Sequence, residues 1–122
     1  MREAPLIAIV DDDESIRDAV RSLIRSVGYR AEVFTLADEF LSSGHVDDTA
    51  CLILDVRMPG MSGLELQRQL ALANYRIPVI FITAHADADT QARALAAGAV
   101  AFLSKPFDEA ALLDAIRSAV GS

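Results

Sequence analysis

Residues 51–63 have the sequence CLILDVRMPGMSG, and this stretch decides the fold class. Its first four residues form a short continuous apolar run, which is typical of a strand covered on both faces. Asp55 ends the run, and the turn-rich residues 58–63 lead into a segment with leucines at positions 64, 66 and 70. The stretch therefore predicts a buried strand, a polar strand end, a loop and a helix.

The same strand-then-helix pattern recurs on both sides of this stretch. Residues 6–10, 78–82 and 101–103 are further apolar runs, and residues 29–34 alternate as an edge or half-buried strand does. Helical patterns follow each of these runs. The first predicted helix begins after Asp13 and ends at Gly28, and the second has a capping-box-like start at residues 35–38. The third begins after the loop that ends at Gly63. The fourth runs from Asp87 to Gly98, and the fifth begins at Asp108.

Strands that alternate with helices of about 10–14 residues require parallel pairing with right-handed crossovers. We therefore expect an α/β fold, a (βα)5 doubly wound five-stranded parallel sheet, with residues 1–122 as a single domain. A length of 122 residues, a hydrophobic fraction of 52% and a mean hydropathy of +0.31 suit one domain with a buried core. Cys51 is alone and lies in an apolar run, so we interpret it as a small core residue.

Charge and hydropathy limit the classes of partner. The net charge is −7 without a Lys/Arg cluster, which argues against direct binding to nucleic acid or to an anionic membrane. No apolar stretch approaches the ~18 residues that span a bilayer, and the first residues lack the pattern of a signal peptide. We therefore expect a cytoplasmic protein.

Polar residues follow four of the predicted strands at the point where each strand ends. They are Asp11 with Asp12, then Asp55, Thr83 and Lys105. In an open parallel sheet, ligands bind outside the carboxyl ends of the strands, so these side chains are expected to converge. Each has an ordinary structural explanation when taken alone, as a cap, a loop residue or a surface lysine, but their joint placement predicts one pocket.

The chemistry of this pocket suits a cation and a phosphoryl group. Asp11, Asp12 and Asp55 would repel one another unless a cation were present, and oxygen ligands of this number suit Mg²⁺. Thr83 supplies a hydroxyl and Lys105 an ammonium group for phosphoryl oxygens. We interpret Asp13 and Glu14, at the start of the helix, as N-terminal capping and charge stabilisation.

Four motifs resemble those of the receiver domain of bacterial two-component response regulators, within the FixJ-like group. They are residues 9–13 (IVDDD), 54–63 (LDVRMPGMSG), 82–85 (ITAH) and 103–107 (LSKPF), and the match covers the whole chain. The resemblance implies the flavodoxin-like receiver fold and a phosphorylation-dependent signalling switch. It implies that Asp55 accepts a phosphoryl group from a sensor histidine kinase. It further implies that Mg²⁺ is held by Asp11, Asp12, Asp55 and the carbonyl of Arg57, that Thr83 and Lys105 contact the phosphoryl oxygens, and that the Lys105–Pro106 bond is cis.

The resemblance also assigns a way of signalling. Phe102 occupies the position of a switch aromatic that follows Thr83, although ordinary core packing explains an aromatic there equally well. The surface of the fourth helix, fifth strand and fifth helix is expected to change and to control an output domain or downstream protein. We also expect that two copies of the chain can form a homodimer when phosphorylated. His45 and His85 lack a second metal-type neighbour at suitable spacing, so both are interpreted as surface residues.

Two other classes of protein share parts of this pattern. A Mg²⁺-dependent phosphohydrolase with an aspartyl-phosphate intermediate would also use Asp55, but it needs an acid/base carboxylate near the nucleophile, and Arg57 stands two residues later. A flavodoxin-like cofactor binder would offer Ser, Thr and Gly amides to a phosphate in its first loop. Residues 11–14 are acidic instead. We therefore expect a phosphoacceptor module that assists its own phosphorylation and dephosphorylation, and no turnover enzyme.

Overall fold

Five strands and five helices alternate in the computed structural model, which describes residues 4–84 and 87–121. The strands are β1 (Leu6–Val10), β2 (Arg30–Phe34), β3 (Thr49–Leu54), β4 (Val79–Thr83) and β5 (Ala101–Ser104). The helices are α1 (Glu14–Ser26), α2 (Ala37–Leu41), α3 (Gly63–Leu72), α4 (Ala88–Ala96) and α5 (Glu109–Val120), with a 3₁₀ turn at Val46–Asp48.

All strand pairs are parallel, and the strand order is β2-β1-β3-β4-β5. The order reverses between β1 and β3, and in open α/β sheets such a switch point opens a crevice at the carboxyl ends of the strands. The doubly wound parallel sheet predicted from the sequence is confirmed. β1 and β4, the strands on either side of the central strand β3, are buried along their whole length, as their continuous apolar runs require.

Two apolar cores lie on opposite faces of the sheet because successive strand residues point to opposite sides. On one face, Phe81 of β4 packs with Phe40 of α2 and Leu66 of α3. The other face contains the isoleucines of β1, β3 and β4, which pack against α1 and α5. Cys51 lies in this second core, where burial raises the pKa of its thiol to about 12, so its predicted role as a core residue is confirmed.

The first helix begins and ends where the sequence predicts. The Asp13 carboxylate accepts hydrogen bonds from the backbone N–H groups of Ser15 and Ile16, which makes it the N-cap. Gly28 has φ +96 and donates its N–H to the Arg25 carbonyl, 3.1 Å away, as the residue after a helix C-terminus does. Asp13 and Glu14 therefore have the structural roles that the sequence indicated.

The second helix ends at Leu41, before the polar residues 42–49, and is shorter than the about 10–14 residues expected of the helices in general. It has five residues, and the hydroxyls of Ser42 and Ser43 donate to the carbonyls of Asp38 and Phe40 at its end. Its N-cap is Leu36, and Glu39 accepts from the backbone N–H groups of residues 35 and 36. The predicted capping box at residues 35–38 was therefore wrong by one residue.

Other boundaries move by one or two residues. β2 begins one residue later than predicted, β4 covers Val79–Thr83 instead of 78–82, and β5 extends to Ser104. α4 covers Ala88–Ala96, with Asp87 as its N-cap. Among residues 4–84 and 87–121, the helices are all too short or too polar to cross a membrane.

Candidate functional site

Three carboxylates meet at the switch point of the sheet. β1 and β3 are neighbours with Val10 opposite Leu54, so the residues that follow them, Asp11 and Asp55, lie side by side. The Asp55 N–H donates to the Val10 carbonyl at 3.1 Å and fixes this register. Oxygen atoms of Asp11, Asp12 and Asp55 lie within 4.8 Å of one another. Asp11 and Asp55 are 2% and 6% exposed, whereas Asp12 is exposed to solvent.

Lys105 places its ammonium group between the two buried carboxylates. Its Nζ lies 3.1 Å from Asp11 Oδ2 and 3.1 Å from Asp55 Oδ2. Its backbone N–H donates to the Thr83 carbonyl at 2.9 Å, which continues the pairing of β5 with β4. The Lys105–Pro106 peptide bond is cis. Lys105 is also the single lysine in the sequence.

The charges of these groups do not balance. Burial raises the pKa of Asp11, and the Asp55 carboxylate raises it further, although the Asp13 N–H and Lys105 act in the opposite direction. Burial on its own would lower the pKa of Lys105, but the hydrogen bonds to Asp11 and Asp55 outweigh it and raise the pKa. One ammonium thus faces three carboxylates, and this oxygen-rich, anionic cluster has the donor set to hold a metal ion.

The single lysine gives a direct measure of this electrostatic coupling. We expect the side-chain resonances of Lys105 to titrate with a pKa above the ordinary lysine value, and Asp55→Asn to lower that pKa because one of the two carboxylate partners loses its charge. An NMR titration of protein labelled only at lysine measures both values. A pKa that is the same in parent and variant would show that Asp55 and Lys105 are not coupled.

Two backbone contacts support the site and were not foreseen from the sequence. Arg17, one turn into α1, donates from its guanidinium to the Asp11 carbonyl at 2.8 Å. Gly63, the first residue of α3, packs so closely on the end of β3 that a Cβ there would collide with the Asp55 carbonyl oxygen. The sequence marked residues 58–63 only as a turn. Nothing in the sequence indicated this role of Arg17, because its contact with the Asp11 carbonyl depends on how α1 packs on β1.

Thr83 and Phe102, the two predicted switch residues, differ in how deeply they are buried. Thr83 is fully buried at the carboxyl end of β4, opposite Ser104 of β5. Phe102 is half-buried, and its ring centroid lies 5.9 Å from that of Phe81 at an angle of 43°. The Phe102 ring packs against the core on this face of the sheet, which is the core-packing explanation that the sequence allowed.

The remaining candidate residues contribute backbone or lie elsewhere. Arg57 has an exposed side chain, and its N–H donates to Asp55 Oδ1 at 3.4 Å. His45 is half-buried away from the carboxylates, where its carbonyl accepts the Thr49 hydroxyl at 2.7 Å. His45 is therefore less exposed than the sequence predicted. His85 lies outside the described residues.

Comparisons with known proteins agree with this geometry. The sequence matches the response regulator receiver domain family over residues 7–117. It is 49% identical over 117 residues to the response regulator protein TodT of Pseudomonas putida, covering 96% of this chain and 52% of TodT. It is 39% identical over 121 residues to the transcriptional regulatory protein FixJ of Azorhizobium caulinodans, covering 99% of this chain and 57% of FixJ.

Solved structures give the same assignment. The crystal structure of FixJ-N superposes with a TM-score of 0.85 at 35% sequence identity, covering 99% of this chain and 96% of that structure. The chain spans about half the length of the curated relatives it matches. The family match over residues 7–117 includes all the strand-end residues. Together with the likeness to FixJ in sequence and structure, it confirms the resemblance to FixJ-like proteins. The chain belongs to the response regulator receiver domain family of two-component signalling.

Proposed function

We propose that Asp55 is the phosphoacceptor of this receiver domain and takes a phosphoryl group from a sensor histidine kinase. The observation that carries this proposal is the position of Lys105 Nζ, 3.1 Å from both Asp55 Oδ2 and Asp11 Oδ2. Asp55 sits at the mouth of the switch-point crevice, where a phosphoryl donor would approach. Asp11, Asp12, Asp55 and the Arg57 carbonyl would hold Mg²⁺, which when bound supplies positive charge for the phosphoryl oxygens.

In the transfer step, an Asp55 carboxylate oxygen forms a bond to phosphorus while the bond from phosphorus to the kinase histidine nitrogen breaks. The electron pair of the broken bond stays on that nitrogen. Lys105 and the Thr83 hydroxyl would stabilise charge on the equatorial oxygens of the largely dissociative transition state. Hydrolysis of the acyl phosphate by water later restores Asp55, so the domain assists its own phosphorylation and dephosphorylation without being a turnover enzyme.

Acetyl phosphate tests this assignment directly. We expect the parent protein to gain the mass of one phosphoryl group, and only when Mg²⁺ is present. Asp55→Asn should gain none, because an amide oxygen is a poor nucleophile, while Asp12→Asn should be labelled more slowly because it loses one metal ligand. Intact-mass spectrometry gives all three results. Full labelling of Asp55→Asn, or of the parent in excess chelator, would contradict the proposal.

We further propose that Thr83 and Phe102 transmit the phosphorylated state. Movement of the buried Thr83 hydroxyl toward the phosphoryl group would leave room for the neighbouring Phe102 ring, which now rests on Phe81. That rotation would alter the surface formed by α4, β5 and α5. Leu95, on α4, is 43% exposed. An output domain, a downstream protein or a second copy in a phosphorylation-dependent homodimer would bind there.

Thr83→Ala separates phosphorylation from its readout. The variant should still accept a phosphoryl group, because Asp55, Asp11 and Lys105 keep their contacts. It should lose the coupling between phosphorylation and the position of the Phe102 ring. Such a coupling free energy is about 1–3 kcal/mol in typical switches, which shifts the ratio of the two conformations about 5- to 150-fold. NMR shifts of Phe102 with and without beryllofluoride, together with sedimentation for the homodimer, measure the effect. Identical Phe102 shifts in the two states of the parent would contradict this route.

The names of the relatives suggest the setting of the whole protein. FixJ is named a transcriptional regulatory protein and TodT a response regulator protein. We propose that this domain likewise controls transcription in the cytoplasm, through an output region or partner that itself contacts DNA.

A further inference from the structure

A long groove runs between α3 and α4, on the side of the sheet away from α1 and α5. Three adjoining cavities form it, with volumes of about 300, 370 and 350 Å³. Leu64, Arg68 and Arg93 line both the first and the second cavity. The second and third share Gln67, Ala71 and Ala97. The cavities are therefore segments of one channel, which we call the α3–α4 groove.

The groove has an ordered floor. Gln67 is buried, and its Nε2 donates to the Ala94 carbonyl at 3.2 Å, which ties α3 to α4. A buried amide that is hydrogen-bonded across two helices resists their separation. The walls beyond it are mainly apolar, with Leu64 toward the strand ends and Leu70 and Val100 toward the other end, where Tyr75 and Arg76 also line the channel. A ligand would thus meet a preformed apolar channel.

The end of the groove nearest Asp55 is positively charged. Arg57, Arg68 and Arg93 line one cavity there, together with a single carboxylate, that of Glu65. Within residues 4–84 and 87–121, these three guanidiniums have no carboxylate within 4.0 Å, whereas Arg21, Arg30 and Arg117 each have one. In a chain of net charge −7, these three arginines outnumber the carboxylates next to them, those of Glu65 in the cavity and of Asp87 near Arg57, so the charge is locally positive.

We propose that the α3–α4 groove binds an acidic amphipathic segment of a partner protein. Carboxylates of that segment would pair with Arg57, Arg68 and Arg93, and its apolar side chains would lie along Leu64, Ala71 and Ala97. Arginine favours bidentate pairing with carboxylates, and a groove along a helix pair suits a linear peptide. A nucleic acid fits less well, because its evenly charged backbone would meet an apolar channel and an acidic domain. The proposal does not depend on the role of Asp55.

A labelled peptide of alternating glutamate and leucine residues tests the proposal on the unphosphorylated chain. A peptide with glutamine for every glutamate is its control. We expect Arg68→Glu/Arg93→Glu to weaken binding of the acidic peptide about tenfold or more, as measured by fluorescence anisotropy. Arg25→Glu/Arg117→Glu changes the net charge equally but lies on α1 and α5, so it should leave binding nearly unchanged. All four arginines are exposed, so both double variants should fold as the parent does.

Chemical-shift mapping on the parent protein provides a second measurement that needs no variant. Shifts caused by the acidic peptide should centre on the Gln67 side-chain amide, Ala71 and Ala97. The proposal is overturned if the glutamine peptide binds as tightly, if both double variants weaken binding equally, or if the shifts lie elsewhere. It is also overturned if a single-stranded oligonucleotide displaces the peptide from the groove. Self-association in sedimentation that Arg68→Glu/Arg93→Glu abolishes would assign the groove to a second copy instead.

Discussion

Lys105→Met is expected to lower the free energy of unfolding at pH 7 by about 3 kcal/mol when no metal is added, since removing one partner of a buried ion pair leaves the other uncompensated. The value lies at the lower end of the usual range because the site opens to solvent and the Lys105 side chain is 14% exposed. Asp11 and Asp55 would face each other without the ammonium between them. Methionine keeps the apolar stem, so the effect isolates the charge. Urea denaturation in EDTA measures it.

The pH dependence of this loss identifies its cause. Burial already raises the pKa of Asp11, and loss of Lys105 should raise it further. A carboxyl group whose pKa is higher in the folded than in the unfolded state favours folding when it is protonated, so the variant should regain stability as the pH falls from 7. In the parent, the pKa of Lys105 is raised, so its contribution is complete below the ordinary lysine pKa and is lost as the pH rises through the folded value.

The deficit of Lys105→Met relative to the parent should therefore be largest at neutral to mildly alkaline pH and should shrink at both ends. A deficit that stays constant from about pH 5 to about pH 11 would instead indicate lost packing of the lysine stem. The double variant Asp11→Asn/Lys105→Met is the matched control. It removes one charge of each sign and should recover most of the stability, because a single buried carboxylate remains.

The convergence of Asp11, Asp55 and Lys105 could be predicted because these residues follow directly from the strand pattern. Parallel strands put their carboxyl ends at one edge of the sheet, so residues at those ends could be placed together from their positions in the sequence alone. The roles assigned to them, and the role of Thr83, stay predictions. Asp13 and Gly28 were predicted for a similar reason, since caps depend on residues close in sequence. The sequence treated Asp11 and Asp12 as an equal pair, whereas Asp11 is buried and Asp12 exposed.

Two features had no clear signal in the sequence: a helix end formed by a residue other than glycine, and a contact between distant elements. The end of α3 is an example, because Asn74 adopts φ 67 there and takes the place that Gly28 has in α1. Asparagine tolerates a positive φ, but in a sequence it predicts such a helix end less strongly than glycine does. Gln67 is another example, since its amide meets Ala94 of α4 only after both helices have packed on the sheet. Such residues have no local pattern that separates them from ordinary surface polar residues.

Gly63→Ala is expected to destabilise the protein by about 2–3 kcal/mol, in the range of an overpacked core position. Alanine normally stabilises a helix relative to glycine by about 0.8–1.0 kcal/mol, so helix propensity alone predicts the opposite sign. The contacts decide the outcome. A Cβ would lie 3.0 Å from the Phe81 ring, which can tilt, but it would also collide with the Asp55 carbonyl oxygen, which belongs to the sheet backbone.

Relief of this collision requires α3 or the end of β3 to move, and either movement displaces Asp55 from Lys105. The Gly63 N–H also donates to the Val56 carbonyl at 2.9 Å, so the strain reaches the residue that follows Asp55. A displacement of about 1 Å at a reacting group costs about 100-fold in rate, and we expect a loss of that order in phosphorylation of Asp55 by acetyl phosphate. Urea denaturation and the time course of intact mass measure the two effects.

Gly60→Ala is the matched control for this variant. Gly60 has φ +77, and no heavy atom outside its own chain neighbours lies within 4 Å of the position that a Cβ would take. Alanine there costs about 1–2 kcal/mol of backbone strain and creates no collision. It should lower the stability of the protein while leaving the rate of Asp55 phosphorylation nearly unchanged. If Gly63→Ala were as stable and as rapidly phosphorylated as the parent, α3 would not set the position of Asp55. If both variants slowed phosphorylation equally, loss of stability alone would explain the effect, and the close packing of Gly63 on the Asp55 carbonyl would have no separate role.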